Sequence, residues 1–176
     1  MRFHRLRVLR RLPHPGRGFT QGLIVTGGTV WESTGRYGQS ALRRYPLGAT
    51  EAEACAALPP ELFAEGICRA GGAIWQLTWQ ERTALRWHPD SLALLATIPY
   101  NREGWGICEA GEYLMTSDGS SELVRRDPQT LARGHAHLRP SAVSLTTTLS
   151  PGTLCPATTP GPSGVSTCSP SFGAFA

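Results

Sequence analysis

The sequence predicts an all-β fold assembled from propeller-type blades, and three recurrences carry that prediction. A glycine amid hydrophobic residues returns at Gly22, Gly66 and Gly106, spaced by 44 and 40 residues. The strand that follows reads Val30-Trp31-Glu32-Ser33-Thr34, then Ile74-Trp75-Gln76-Leu77-Thr78, then Tyr113-Leu114-Met115-Thr116-Ser117. A closing turn reads Tyr45-Pro46-Leu47, His88-Pro89-Asp90 and Asp127-Pro128-Gln129, its prolines 43 and 39 residues apart. A period near 40 with several short strands per unit marks propeller blades. Such a fold is radial, so equivalent positions of successive blades point at one central site.

Taken in order, residues 2–12 alternate basic and apolar side chains (Phe3, Leu6, Val8, Leu12) and read as a strand, an outer one of a blade. His14-Pro15-Gly16 breaks it. Phe19–Val25 and Thr29–Thr34 are strands joined by a Gly27-Gly28 hairpin turn. The same hairpin returns at Gly66–Cys68, Gly71-Gly72 and Ala73–Thr78, and again at Gly106–Cys108, Ala110-Gly111 and Tyr113–Ser117. A third strand follows each hairpin at Ala41–Tyr45, Ala84–His88 and Glu122–Arg126. A fourth lies around Cys55–Leu58, Ala93–Ile98 and Arg133–Leu138, which completes the four strands a blade needs. Three blades therefore occupy residues 1–140.

Residues 141–176 differ. No charged residue follows Arg139, and Ser, Thr, Pro and Gly dominate. With little to bury, this tail is expected to be disordered. The abrupt change near Pro140 reads as a natural Ser/Thr/Pro-rich linker or as a shift of reading frame in a GC-rich gene. The second fits better, because blade repeats cannot leave a half-built stack stable.

Composition excludes several classes. The net charge is +4, and all 17 basic residues are Arg. They are scattered beyond the first eleven residues, without the clustered stripe and motif that nucleic-acid binding requires. No apolar run is long enough for a membrane span, and the basic N-terminus lacks the apolar core of a signal peptide. As written the chain reads as a cytoplasmic monomer. The 5 cysteines show no metal-ligand spacing. Cys68 and Cys108 share a place in their repeats and are expected to be buried as small hydrophobes. His135 and His137 share a strand face, an exposed strand more readily than a metal site, since no third ligand is apparent.

Polar residues stand where blades face the axis. Thr20-Gln21-Gly22 opens the first hairpin, Ala64-Glu65-Gly66 the second and Arg102-Glu103-Gly104-Trp105-Gly106 the third. Glu32 lies on the first returning strand, and Asp118 ends the third. Converging carboxylates of Glu32, Glu65 and Glu103, walled by Trp79 and Trp105, would make a small acidic pocket suited to a cationic amine. Crowded carboxylates raise one another's pKa, which creates an acid/base group near neutral pH. The plainer alternative makes Glu32 and Asp118 strand-end and turn residues that hydrogen-bond backbone.

The motifs together carry a resemblance. His14-Pro15, Phe19-Thr20-Gln21-Gly22-Leu23, Trp31-Glu32-Ser33-Thr34-Gly35-Arg36-Tyr37-Gly38 and Phe63-Ala64-Glu65-Gly66 come in order. Gln76-Leu77-Thr78-Trp79, Glu103-Gly104-Trp105-Gly106, Ser117-Asp118-Gly119-Ser120 and Asp127-Pro128 follow. Over roughly residues 10–140 the chain resembles the plant- and bacterial-type glutaminyl-peptide cyclotransferases. The resemblance implies a five-bladed propeller that converts the N-terminal glutamine of a peptide or protein to pyroglutamate with release of ammonia. It implies no metal and no cofactor. By carry-over of its motif, Glu32 is the first expectation for the acid/base group. Glu65 is the second, as amine anchor or partner. Gln21 is expected to offer an amide donor, Trp79 and Trp105 to wall the substrate, and Glu103 and Asp118 to help bind it.

The chain departs from the family after Pro140. The family continues there with a Leu-Asn-Glu-Leu-Glu segment, an Ala-Asn-Val-Trp strand and a late Gly-Lys-Leu-type segment, and none is present. Without lysine, a lysine-based oxyanion contact has no residue to make it. Two other readings stand beside the enzyme: a non-catalytic peptide-binding module of propeller type, and a fragment without function of its own.

Overall fold

The computed structural model describes residues 7–16 and 18–138, and among these every regular element is a strand. Sheet one holds β1 (Thr20–Thr26), β2 (Thr29–Thr34), β3 (Ala41–Pro46) and β4 (Ala54–Ala57). Sheet two holds β5 (Ala64–Ala70), β6 (Ala73–Thr78), β7 (Thr83–Trp87) and β8 (Leu94–Pro99). Sheet three holds β9 (Ile107–Ala110), β10 (Tyr113–Thr116), β11 (Leu123–Arg126) and β12 (Arg133–Leu138). Each is an antiparallel meander in chain order, the arrangement expected of a propeller-like fold.

The hairpins show why the repeat is there. Gly27-Gly28 and Gly71-Gly72 all have positive φ, which glycine adopts without a Cβ penalty, so two-residue turns reverse the chain with the twist of the strands. The third turn is Gly111-Glu112, one residue beyond the expected Ala110-Gly111. That offset corrects the equivalence of the third strand. Thr29, Ala73 and Tyr113 are the matching first residues, paired with Thr26, Ala70 and Ala110. Val30, Ile74 and Leu114 are therefore equivalent, and all are buried. Met115, not Leu114, takes the place of Trp31 and Trp75.

Two apolar clusters glue the sheets together. Trp31 and Leu42 of sheet one pack with Ile67, Ile74, Leu85 and Trp87 of sheet two. Cys68, Trp75 and Leu77 of sheet two pack with Ile107, Leu114 and Leu131 of sheet three. Each fully buried Leu or Ile contributes about 1.5–3 kcal/mol. The recurrent Trp and Pro find each other across these seams. Trp31 Nε1 donates to the carbonyl of Pro89 (2.7 Å), and Trp75 Nε1 to that of Pro128 (3.1 Å). One sheet's tryptophan thus locks onto the closing turn of the next.

Two expectations need correcting. Residues 7–14 form no strand, and residues 2–6 lie outside the described residues. The outer place in sheet one is filled by β4, paired with β3, and the preceding segment instead runs past Tyr45, Leu47 and Gly48. Cys68 is buried as expected, but Cys108 is exposed. Cys68 faces sheet three, whereas the same side of sheet three has no further described sheet against it. Burial lifts the Cys68 thiol to about 12, so it is inert at neutral pH. The tail and the His135 and His137 side chains lie outside the described residues, although the strand that carries these histidines forms.

Candidate active site

The innermost strands of the three sheets cross at glycines. A Cβ on Gly22 would stand 2.7 Å from the Ile67 nitrogen, and one on Gly66 would stand 2.5 Å from the Trp105 oxygen. Only glycine lets the backbones approach this closely. The residue before each crossing glycine is Gln21, Glu65 or Trp105, so these three occupy one position in successive sheets. Gln21 Nε2 donates to Glu65 Oε1 at 3.0 Å. Glu65 is half-buried, and its carboxyl is pushed up to about 7. Burial is the main cause. The Gln21 amide works against it, and the Glu81 charge adds to it.

An aromatic wall gathers around Phe63, two residues before Glu65. The Phe63 ring meets Tyr37 at 5.4 Å, Trp79 at 5.6 Å and Phe19 at 6.4 Å, all edge-to-face. Backbone bonds set the spacing: Trp79 N–H donates to the Phe63 carbonyl (3.0 Å) and Gly35 N–H to that of Phe19 (2.9 Å). Tyr37 rides on a tight loop in which Arg36 holds φ 152°, a region few side chains adopt. The Ser40 hydroxyl pins that loop, accepting from Arg36 N–H (3.2 Å) and donating to the Arg36 carbonyl (2.9 Å). It also accepts from Ala64 N–H at 3.1 Å, which ties the loop to the strand that carries Glu65.

Glu32 is placed differently. It is completely buried. Thr20 Oγ1 donates to Oε1 (2.6 Å), His14 Nε2 lies 3.1 Å from the same oxygen, and Tyr45 donates to Oε2 (3.1 Å). Equivalent diagonal bonds recur in the other sheets. Trp87 Nε1 donates to Gln76 Oε1 (2.9 Å), and Arg126 Nε to Thr116 Oγ1 (3.1 Å). Glu32 thus fills, with a carboxyl group, a place where every sheet puts a buried polar acceptor.

The remaining candidates scatter. Trp105 is 48% exposed and donates its Nε1–H to Glu103 Oε2 at 3.3 Å. Asp118 accepts from Ser120 N–H (3.1 Å) and Ser120 hydroxyl (2.6 Å), and pairs with Arg102 at 2.8 Å. Burial alone would raise its carboxyl, but the Ser120 bonds and Arg102 outweigh it, so Asp118 is held below the usual range. The expected cluster of Glu32, Glu65 and Glu103 therefore resolves into three carboxylates, each with its own partners. Glu81 is the carboxylate that acts on Glu65. Sequence reasoning missed Glu81, Ser40 and Tyr45, because nothing local marks a loop acid, a turn serine or a strand tyrosine as a partner of Glu65, of its strand or of Glu32.

Among the described residues no group of His, Cys, Asp and Glu is placed to hold a metal ion. Among the described residues no helix is long and apolar enough to cross a membrane. A cavity of about 780 Å³ runs along the innermost strands, with Gln21 and Ser117 in its lining. Residues 1–139 match the family described as glutamine cyclotransferase. The chain belongs to the glutamine cyclotransferase family. It is 32% identical over 139 residues to the glutaminyl-peptide cyclotransferase of Arabidopsis thaliana, a match covering 78% of this chain and 43% of that protein. It resembles the crystal structure of Myxococcus xanthus glutaminyl cyclase with TM-score 0.66 and 34% identity, over 73% of this chain and 54% of that one. A chain of the nidogen/laminin complex matches at TM-score 0.52 with 10% identity over 64% of this chain and 43% of that one, a likeness of fold alone. The chain thus spans about half the length of these cyclotransferase relatives.

Proposed function

We propose that these three sheets carry the acid/base part of a glutaminyl-peptide cyclotransferase site, within a ring that five blades complete. The observation that supports this reading best is Glu65. Its carboxyl is poised near neutrality and bonded to Gln21, two residues after Phe63, whose ring meets Trp79 and Tyr37. A group whose pKa lies near the working pH is both a competent base and a competent acid.

The substrate is a peptide with an N-terminal glutamine. Its α-amine, with an ordinary pKa of about 7.7–8.0, attacks the δ-carbon of its own side-chain amide. Glu65 takes a proton from that nitrogen as the ring carbon–nitrogen bond forms. It returns the proton to the amide nitrogen as the exocyclic bond breaks, so ammonia leaves and the lactam remains. The Gln21 amide can turn an N–H toward the oxygen that gains charge, the kind of donor such an intermediate needs. Trp79 and Trp105 shield the reacting side chain.

Geometry favours Glu65 over Glu32 in this role. Glu32 is sealed behind His14, Thr20 and Tyr45, so we assign it to holding the first sheet together. With an N-terminal-Gln dipeptide, Glu65→Gln should abolish ammonia release, while Glu32→Gln should act mainly on stability. Unchanged turnover in Glu65→Gln would sink the assignment. Binding of the dipeptide without ammonia release would point to the non-catalytic peptide-binding module instead.

A further inference from the structure

Glu81 stands in the loop between β6 and β7 and joins two parts of the site. Its Oε1 accepts from the Tyr37 hydroxyl at 2.8 Å, and its Oε2 accepts from Phe63 N–H at 3.3 Å. Tyr37 belongs to sheet one, and Phe63 lies two residues before Glu65, so this carboxylate bridges sheets one and two at the aromatic wall. The loop is built to present it. Arg82, the next residue, sits in the left-handed region at φ 52°, and Thr83 Oγ1 donates to the Glu81 carbonyl at 3.0 Å.

We propose that Glu81 is a positioning residue of this site, clamping Tyr37 and Phe63 into the aromatic wall that leads into the strand of Glu65. Both of its side-chain bonds come from neutral donors rather than from a cation. Two consequences follow. The charge disfavours a second negative charge on Glu65, which keeps a proton there to higher pH. It also makes the mouth of the site attractive to the α-ammonium of an arriving peptide. The groups that face Glu65 are Gln21 from β1, which is neutral and works in the opposite sense, and Glu81 from the β6–β7 loop. Those that face Glu81 are Tyr37 and the Phe63 amide, with Arg36 near the same wall over the Phe19 ring at 5.6 Å. The proposal deepens the cyclotransferase reading and rests on it for its catalytic meaning, although the Glu81–Glu65 coupling can be measured without turnover.

The test is a carboxyl-carbon NMR titration of the full chain, comparing wild type with Glu81→Gln, which keeps the shape and removes the charge. The Glu65 midpoint should fall by about half a pH unit, the size of a through-space charge effect across a half-solvated site. The Tyr37 phenol should also titrate lower, because Glu81 is what raises it. An unmoved Glu65 midpoint in a folded Glu81→Gln protein would overturn the proposal. Tyr37→Phe, at a half-exposed side chain, provides a second arm that keeps the charge and removes one donor. It should shift the Phe63 and Trp79 signals and leave the Glu65 midpoint in place; unmoved wall signals would refute the clamp. A coupled Glu65 in a protein whose Glu65→Gln variant still releases ammonia would sustain the coupling and sink the catalytic reading, so the two failures are distinguishable.

Discussion

Gly66→Ala tests how the stacking of sheets places the site. A methyl group at Gly66 would stand 2.5 Å from the Trp105 oxygen, 3.1 Å from Gly106 Cα and 3.2 Å from the Ile107 nitrogen. All three are backbone atoms of the next sheet, so no rotamer change relieves the clash. Reaching an ordinary contact requires β9 to retreat by about 1 Å, and inserting a methyl group into a packed interior costs about 1–3 kcal/mol. The same retreat stretches the bond from Gly66 N–H to the Trp105 carbonyl, now 2.9 Å, and its loss adds about 0.5–1.5 kcal/mol. The sum is about 1.5–4.5 kcal/mol. Urea denaturation followed by circular dichroism would read it as a lower midpoint with an unchanged slope. Gly72→Ala is the control. Its φ is +73° and its surroundings are open, so it should cost only about 1 kcal/mol of backbone strain. Equal destabilisation by the two would refute the claim that glycine is needed here for close approach. Because Glu65 immediately precedes Gly66, turnover should fall along with stability.

Two further predictions follow from the carboxylates. Tyr45→Phe removes a donor from the fully buried Glu32 and should cost about 1–3 kcal/mol, while activity per folded molecule stays near wild type; a stable variant would show that the bond is dispensable. Glu65, raised to about 7 from an ordinary 4.5, holds its proton longer folded than unfolded. Its contribution is complete below about pH 4.5 and is lost as pH rises through about 7, so stability should decline across that window. Partial exposure limits the loss to about 1–2 kcal/mol. Glu65→Gln should flatten this part of the pH–stability curve, and an unaltered slope would contradict the raised carboxyl.

Strand order, hairpin turns and sheet boundaries were legible in the chain because they are local. Paired glycines with positive φ reverse the strands, and the adjacent apolar residues in β2 and β6 mark the strands buried on both faces. The recurring Trp and Pro announced the repeat, since each tryptophan needs a carbonyl at the closing turn of the next sheet. The first segment misled because basic–apolar alternation also suits a chain that lies across a sheet whose outer edge is already paired. The third hairpin slipped by one residue because Gly111-Glu112 lacks the double glycine of the other two turns.

The sequence by itself determined the family, the three-sheet architecture and the motifs that carry Gln21, Glu65 and Trp79. Tertiary structure alone decided which carboxylate is available. Glu32 and Glu65 sit in equally conspicuous motifs, and no local pattern separates them. Glu32 is covered by His14, Thr20 and Tyr45, which are distant in sequence or on another strand. Glu65 stays half-open because it precedes a glycine crossing and meets Gln21 and the field of Glu81. Burial, hydrogen-bond partners and nearby charge set a carboxyl's protonation, and all three arise only when separate sheets come together.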